Sequence, residues 1–235
     1  MQRSQLKAAY LESKNSNPLL TAQRIALGQR EVATVKLLGS EIGFSFSPGM
    51  TLLDLGCADK FLQPACVEQG WSYVGLDYSD LDLETDIFPL RDHSVDIALS
   101  LAVLEHLKDP ERFLLEVLRC LKPGGLIYLS TPNFQLDWKN FYNDPTHVRP
   151  YTPTALEELL RFHGFGDVHT FPGLRCKPRW FYRGPFRFLK AYYLLPFRGD
   201  SWTFIPSWMK GHARSIFGLA LKPTLISPVT TESSN

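Results

Sequence analysis

The chain has 235 residues, 44% of them hydrophobic, and a formal net charge of +1, enough for one α/β domain with a full core and an embellishment but short for two domains. No run approaches the roughly 18 uninterrupted apolar residues of a membrane span, and the first twenty residues lack an apolar stretch of signal-peptide length, so a cytoplasmic protein is expected. Cys57, Cys66, Cys120 and Cys176 form neither a CxxC pair nor a secreted-style framework, which argues for buried thiols over zinc or disulfides.

The small net charge conceals a division. Residues 1–170 carry 15 Lys+Arg against 22 Asp+Glu, whereas residues 171–235 carry 10 against 2. Along the chain, Ile25, Val32, Val35, Leu38 and Ile42 recur at helical spacing behind Thr21, a candidate N-cap, and predict a leading helix over 21–42. TLLDLG reads as a short strand, 61–69 as a helix ending at Gly70, WSYVGLD as a second strand, and SVDIALSL (94–101) as another. Residues 110–121 start with proline, carry Phe113, Leu114, Val117, Leu118 and Leu121 on one face, and stop at Lys-Pro-Gly, again a helix. GGLIYLSTPN is a further strand. Residues 152–163 have a Thr/Pro start, a T-x-x-E pair at Thr154 and Glu157, and a stop at Gly164. Alternating strands and helices imply a mostly parallel sheet covered on both faces, with ligands outside the carboxyl ends of its strands.

Asp54, Asp77 and Asp86 each fall at or just beyond such a strand end. Any one could be a turn aspartate; three in this arrangement point to one crevice. The stretches LLDLGCADKFL, YVGLDYSD, TDIFPLRDHSVDIALSLAVLEHL and LKPGGLIYLSTPN, in this order over about residues 50–171, resemble the successive motifs of class I S-adenosylmethionine-dependent methyltransferases. The resemblance implies a Rossmann-like, seven-stranded methyltransferase sheet with the last strand antiparallel and helices on both faces, and S-adenosyl-L-methionine as cofactor. It implies that Asp54, Gly56, Cys57 and Ala58 shape a loop at the methionyl part, and that Asp77, beside Tyr78, accepts hydrogen bonds from both ribose hydroxyls. Asp86 and Ile87 would hold the adenine, and Ser100 and Leu101 would face the methionyl end. An acceptor-only carboxylate suits a vicinal diol. Where many relatives read G-x-G-x-G, this chain has Gly56, Ala58 and Lys60. The alanine methyl costs little at negative φ and about 1 to 2 kcal/mol if the backbone there is left-handed, and Lys60 is expected to point to solvent. The GCADKF loop does not supply the G-x-G-x-x-G of a dehydrogenase. The span from Asp77 to Asp86 is short, so the intervening helix is expected to shrink to a turn.

Methyl transfer from a sulfonium is an in-line displacement, and a hydroxyl acceptor also needs a base. His106 in LEHL and His147 in NDPTHVRPYT stand where one could act. His106 reads equally well as a helix-end residue that packs or caps. The segment from Phe141 to Phe165 resembles the region after the fifth strand in methyltransferases of glycan and small-molecule biosynthesis, which by analogy gives Asp144 and His147 a place near the acceptor, with Arg149 and Tyr151 as further candidates. Some relatives read E-x-x-E-H at the LEHL position and hold a divalent ion there. Here Ala102 replaces the first glutamate, leaving Glu105, His106 and His147, and no metal is expected.

The expected organisation is a helical lead-in over 1–49, a methyltransferase domain over 50–225, and a disordered Ser/Thr-rich tail over 226–235. GDVHTFPG and SIFGLALKP resemble the last two strands, which makes 174–214 an insertion with 11 aromatics, nine Lys+Arg and one acid. It reads first as a packed cap over the acceptor site, second as a binder of an anionic, phosphorylated or lipid-linked acceptor, and third as a contact to the acidic inner membrane surface. No nucleic-acid motif is present, so no nucleic-acid partner is expected. The reading is methyl transfer to a small-molecule or glycan acceptor, most naturally on the oxygen of a sugar or other hydroxyl-bearing compound in glycan biosynthesis. The rivals are a degenerate fold that binds without turnover, for which Ala58, Lys60 and Ala102 speak, and a peripheral membrane scaffold.

Overall fold

The computed structural model describes residues 22–173 and 214–224, together with the backbone of two short strands, 197–198 and 210–212. The Thr21 cap, most of the 174–214 insertion and the 226–235 tail lie outside the described residues. The elements run α1 (Ala22–Glu41), β1 (Thr51–Leu55), α2 (Gln63–Glu68), β2 (Ser72–Leu76), β3 (Val95–Leu101), a 3-10 turn (Leu104–His106), α3 (Glu111–Cys120), β4 (Leu121–Pro132), α4 (Phe134–Phe141), α5 (Pro153–Phe162), β5 (Gly166–Pro172), β6 (Phe197–Arg198), β7 (Lys210–His212) and β8 (Ser215–Leu221).

The main sheet has the order β2-β1-β3-β4-β8-β5. β1 pairs in parallel with β2 and β3, β3 pairs in parallel with β4, and β8 runs antiparallel to both β4 and β5. This is the expected Rossmann-like arrangement with a closing antiparallel strand, but six strands are present among the described residues instead of seven. The strand that is absent falls between Asp77 and Ser94, which runs as turns and bends. The reason lies in turn chemistry: Asp80, Asp82 and Asp86 each accept a hydrogen bond from a nearby backbone N–H of that segment, and Leu81 and Leu83 pack into the core from these turns.

Each face of the sheet has its own core. On one, Val32, Val35 and Leu38 of α1 and Ala65 and Cys66 of α2 pack with Leu52, Leu99, Tyr128 and Phe217. On the other, Phe113, Leu114, Val117 and Cys120 of α3 and Leu156 and Leu160 of α5 pack with Leu53, Leu55, Ala98 and Ile127. The leading helix is therefore part of the domain's core. A Cβ on Gly28 would lie 2.2 Å from the Phe61 carbonyl oxygen, so the α1 backbone sits directly on the segment after β1. Arg24 fastens that contact by donating to both carboxylate oxygens of Asp59, at 2.7 and 2.6 Å.

Two local expectations are corrected. Thr152, not Thr154, caps α5, its hydroxyl accepting from the Ala155 N–H at 3.2 Å. Glu157 instead accepts from the Thr170 hydroxyl of β5 at 2.7 Å. Among the described residues no helix is long and apolar enough to cross a membrane.

Candidate active site

Sheet register gathers the expected residues at one edge. Leu55 pairs with Leu76 on one side and Ser100 on the other, and Ser100 pairs with Leu129. Gly56, Asp77, Leu101 and Ser130 therefore follow side by side at the carboxyl ends of β1 to β4. The loop after β1 turns sharply: the Gly56 and Cys57 N–H groups both donate to the Leu76 carbonyl, and Gly56, Ala58 and Lys60 have φ of 80°, 45° and 56°. Gly56 is required twice over, since its φ is left-handed and a Cβ there would approach Val103 Cγ2 to 2.3 Å. Ala58 and Lys60 take the same left-handed conformation at about 1 to 2 kcal/mol each, and Ala102, at φ 57° beyond β3, does so too. Strain of this kind collects where backbone is held for binding. The Lys60 side chain is exposed.

Beneath this loop lies Asp54. It is 2% exposed, and its Oδ2 accepts from the Tyr73 hydroxyl of β2 at 2.6 Å. Burial pushes its carboxyl up to about 7; the Tyr73 bond opposes the shift, and the charges of Asp77 and Asp59 add to it. Asp54 thus supports the loop from below and does not line its surface. Cys57 is buried against Gly75, and burial pushes its thiol up to about 12, which leaves the residue's backbone to serve a ligand. Asp77 and Tyr78 lie just past β2, half-buried, with the Asp77 N–H donating to Asp80 Oδ2 at 2.9 Å. Asp86 and Ile87 are exposed on the turn segment, Ile87 by 66%, an apolar side chain at the rim of the same edge. Ser100 Oγ is buried without a hydrogen-bond partner. A curled loop, a half-buried carboxylate, a rim isoleucine and an unsatisfied hydroxyl fit a ligand with a diol, an aromatic base and a polar tail, as an adenosyl amino acid has.

The Asp54 carboxyl makes stability depend on pH. Its folded pKa is raised above the ordinary 3.8, so its contribution is fully present below about pH 4 and is lost as pH rises through about 7, on the order of 4 kcal/mol. Asp54→Asn, which can still accept from Tyr73, is expected to lower the slope of urea-unfolding free energy against pH across that window by about half, the rest being set by the Glu105 carboxyl, which burial also pushes up to about 7. An unchanged slope would mean that another group sets it.

The second cluster follows β3 and β4. Glu105, 1% exposed, accepts from the Thr131 hydroxyl at 3.0 Å, and burial pushes its carboxyl up to about 7. Its carbonyl accepts from the Val148 and Arg149 N–H groups, which ties the segment after α4 to the turn after β3. That tie brings His147 to His106, with ring centroids 4.9 Å apart. One ligating atom each from Glu105, His106 and His147 lie within 4.8 Å of one another. His106 Nδ1 bonds to the Thr146 carbonyl at 3.1 Å and His147 Nδ1 to the Phe141 carbonyl at 2.7 Å. A carbonyl only accepts, so both Nδ1 atoms carry the proton and Nε2 is the basic nitrogen of each ring. Asp144 Oδ1 accepts from the Thr146 N–H and hydroxyl, and its Oδ2 stands 3.8 Å from His147 Nε2. Of the further candidates, Arg149 donates to the Lys108 carbonyl at 3.1 Å and Tyr151 is buried.

Sequence reasoning missed Tyr73, Thr131 and Asn133. Tyr73 and Thr131 act through partners on other elements, Asp54 and Glu105. Asn133, fully buried at the end of β4, was legible only as the last letter of STPN.

A family model described as a methyltransferase domain matches residues 28–170. A protein of Mycolicibacterium smegmatis named a probable S-adenosylmethionine-dependent methyltransferase is 32% identical over 135 residues, 50% of this chain and 52% of that protein. A ubiquinone biosynthesis O-methyltransferase of Caulobacter vibrioides is 28% identical over 105 residues, 36% of this chain and 42% of that one. The chain thus spans about half the length of the curated relatives it matches. The crystal structure of a SAM-dependent methyltransferase from Archaeoglobus fulgidus superposes with a TM-score of 0.56 at 21% identity, over 82% of this chain and 94% of that one, a likeness of fold. The edge geometry and a domain match that covers more than half of its residues place the chain in the family of class I S-adenosylmethionine-dependent methyltransferases.

Proposed function

We propose that the chain transfers the methyl group of S-adenosyl-L-methionine to an oxygen of a small-molecule or glycan acceptor, with His147 as the base. The observation that carries this reading is the histidine pair: both imidazoles are fixed in one tautomer by backbone carbonyls, beyond the ends of β3 and β4 and beside the cofactor edge. When bound, the cofactor supplies an electrophilic methyl carbon on a sulfonium. Asp77 would hold the ribose, Asp86 and Ile87 the adenine, and the Gly56–Ala58 loop with Ser100 and Leu101 the methionyl end. His147 Nε2 would take the proton of the acceptor hydroxyl as that oxygen is methylated. Asp144 stabilises the resulting imidazolium at 3.8 Å. The O-methyltransferase named above supports oxygen as the acceptor atom.

A second reading, a divalent cation held by Glu105, His106 and His147, is favoured by the same convergence within 4.8 Å and by the carbonyl bonds at each Nδ1, an arrangement common behind metal-bound histidines. One assay separates the two. S-adenosylhomocysteine release is followed with catechol and methyl glycosides and with the matching amines, in EDTA. Turnover of hydroxyl acceptors in EDTA is the expected result. Turnover lost in EDTA and restored by Mn²⁺ would make the trio a cation site, and turnover of amines alone would overturn the oxygen assignment.

A further inference from the structure

The last residue before α4 is unusual. Asn133 stands at the N-cap position, where asparagine ordinarily accepts from a helix N–H, yet its side chain caps nothing. The Leu136 and Asp137 N–H groups go to its backbone carbonyl instead, at 3.0 and 2.8 Å. Asn133 is 0% exposed, and neither its amide nitrogen nor its amide oxygen has a hydrogen-bond partner. Across a one-residue parallel bridge stands Tyr151, 3% exposed, whose hydroxyl is also unpartnered. The Phe134 N–H donates to the Tyr151 carbonyl at 2.9 Å, so the two backbones are held together. Three buried, unpartnered polar atoms on two bridged residues cost free energy that leucine and phenylalanine at the same positions would not.

Position gives the cost a purpose. Asn133 follows Thr131 by two residues in extended backbone, with φ −81° and ψ 94°, so it projects to the same side of the strand as the hydroxyl that bonds Glu105. We propose that Asn133 and Tyr151 form a neutral hydrogen-bonding pair that takes a hydroxyl of the acceptor and sets which hydroxyl-bearing compound is methylated. An amide offers a donor and an acceptor together and a phenol offers either, which matches a group that itself donates and accepts. A phosphodiester or an ionised phosphate monoester, which only accepts, would leave the Asn133 oxygen unsatisfied. The pair therefore reads a neutral polyol, sugar or phenol. This inference rests on the hydroxyl-methylation reading above.

The test uses the full chain with Tyr151→Phe and Asn133→Leu, each measured for thermal midpoint without ligand, S-adenosylhomocysteine affinity, and KM and kcat for catechol and methyl glycosides. The expected result is a midpoint equal to or above the parent's, unchanged S-adenosylhomocysteine affinity, and a KM raised about tenfold with a smaller change in kcat, the loss of one hydrogen bond. A lowered midpoint would show an internal structural role, weakened S-adenosylhomocysteine binding would show a cofactor contact, and an unchanged KM would show no acceptor contact; each overturns the proposal. Should Asn133→Leu fail to fold, Tyr151→Phe, which removes a single oxygen, carries the test. If the parent itself turns over none of these acceptors, the hydroxyl-methylation reading fails first and the pair's role falls with it, whereas turnover by the parent with unchanged KM in both variants retires the pair alone.

Discussion

Asp77→Ala is expected to abolish measurable binding of S-adenosylhomocysteine in calorimetric titration and to leave the thermal midpoint within about 2 °C of the parent. The large effect follows from the proposed role. A carboxylate that accepts from both hydroxyls of a ribose makes two charge-assisted bonds, each worth about 1.5 kcal/mol or more, so their loss weakens Kd by roughly a hundredfold at least. The small effect on stability follows from the surroundings. Its backbone N–H donates to Asp80 Oδ2 and its carbonyl accepts from the Asp80 and Leu81 N–H groups, and alanine keeps these bonds. Binding by the parent that survives Asp77→Ala would favour a site elsewhere. No binding by the parent would favour the degenerate-fold rival.

His147→Asn is expected to lower kcat by about 10² to 10⁴, the range for removing a positioned base, with S-adenosylhomocysteine affinity unchanged. Asparagine is chosen because its amide can replace Nδ1–H in the bond to the Phe141 carbonyl, which alanine would orphan. His106→Asn is expected to cost less, since the carboxylate that would stabilise a protonated ring faces His147. Stopped assays in a buffer series check the assignment: a small nucleophilic-base additive such as imidazole should restore part of the His147→Asn rate. Equal loss in both variants, with no rescue, would instead favour the shared-cation reading.

How much of this was legible in the sequence depends on range. α3 and α5 were legible because Phe113, Leu114 and Val117, and Leu156 and Leu160, repeat at helical spacing and end in turn residues. β1 and β3 were legible as apolar runs closed by a glycine or a turn. No seventh strand is present among the described residues because the acids of YSDLDLETD close turns on nearby backbone N–H groups, although Leu81 and Leu83 alternate as a strand's residues would and pack into the core. α4 was missed for a related reason: FQLDWKNF has weak periodicity and a kink at Asp137, a buried acid whose partners are Asn140 and the distant Arg214. The left-handed backbone at Ala58 and Lys60 was signalled only by the glycines that stand there in the G-x-G-x-G pattern, and that at Ala102 by nothing in the sequence, because residue type argues against all three.

In the site the same rule holds. Asp77, Asp86, His106 and His147 could be singled out because strand ends and short motifs mark them. The Glu105 carbonyl that draws His147 toward His106 acts across 43 residues of chain, and no local signal announces it. The unsatisfied atoms of Asn133 and Tyr151 become visible only when burial and partners are known.

If the carboxyl edge of β1 to β3 holds an adenosyl sulfonium, a crystal structure with S-adenosylhomocysteine will show ribose density against Asp77, adenine density against Ile87, and the amino-acid end over Gly56 and Ser100. Density for the ligand at any other place, or an empty edge in crystals grown at saturating ligand, would contradict it.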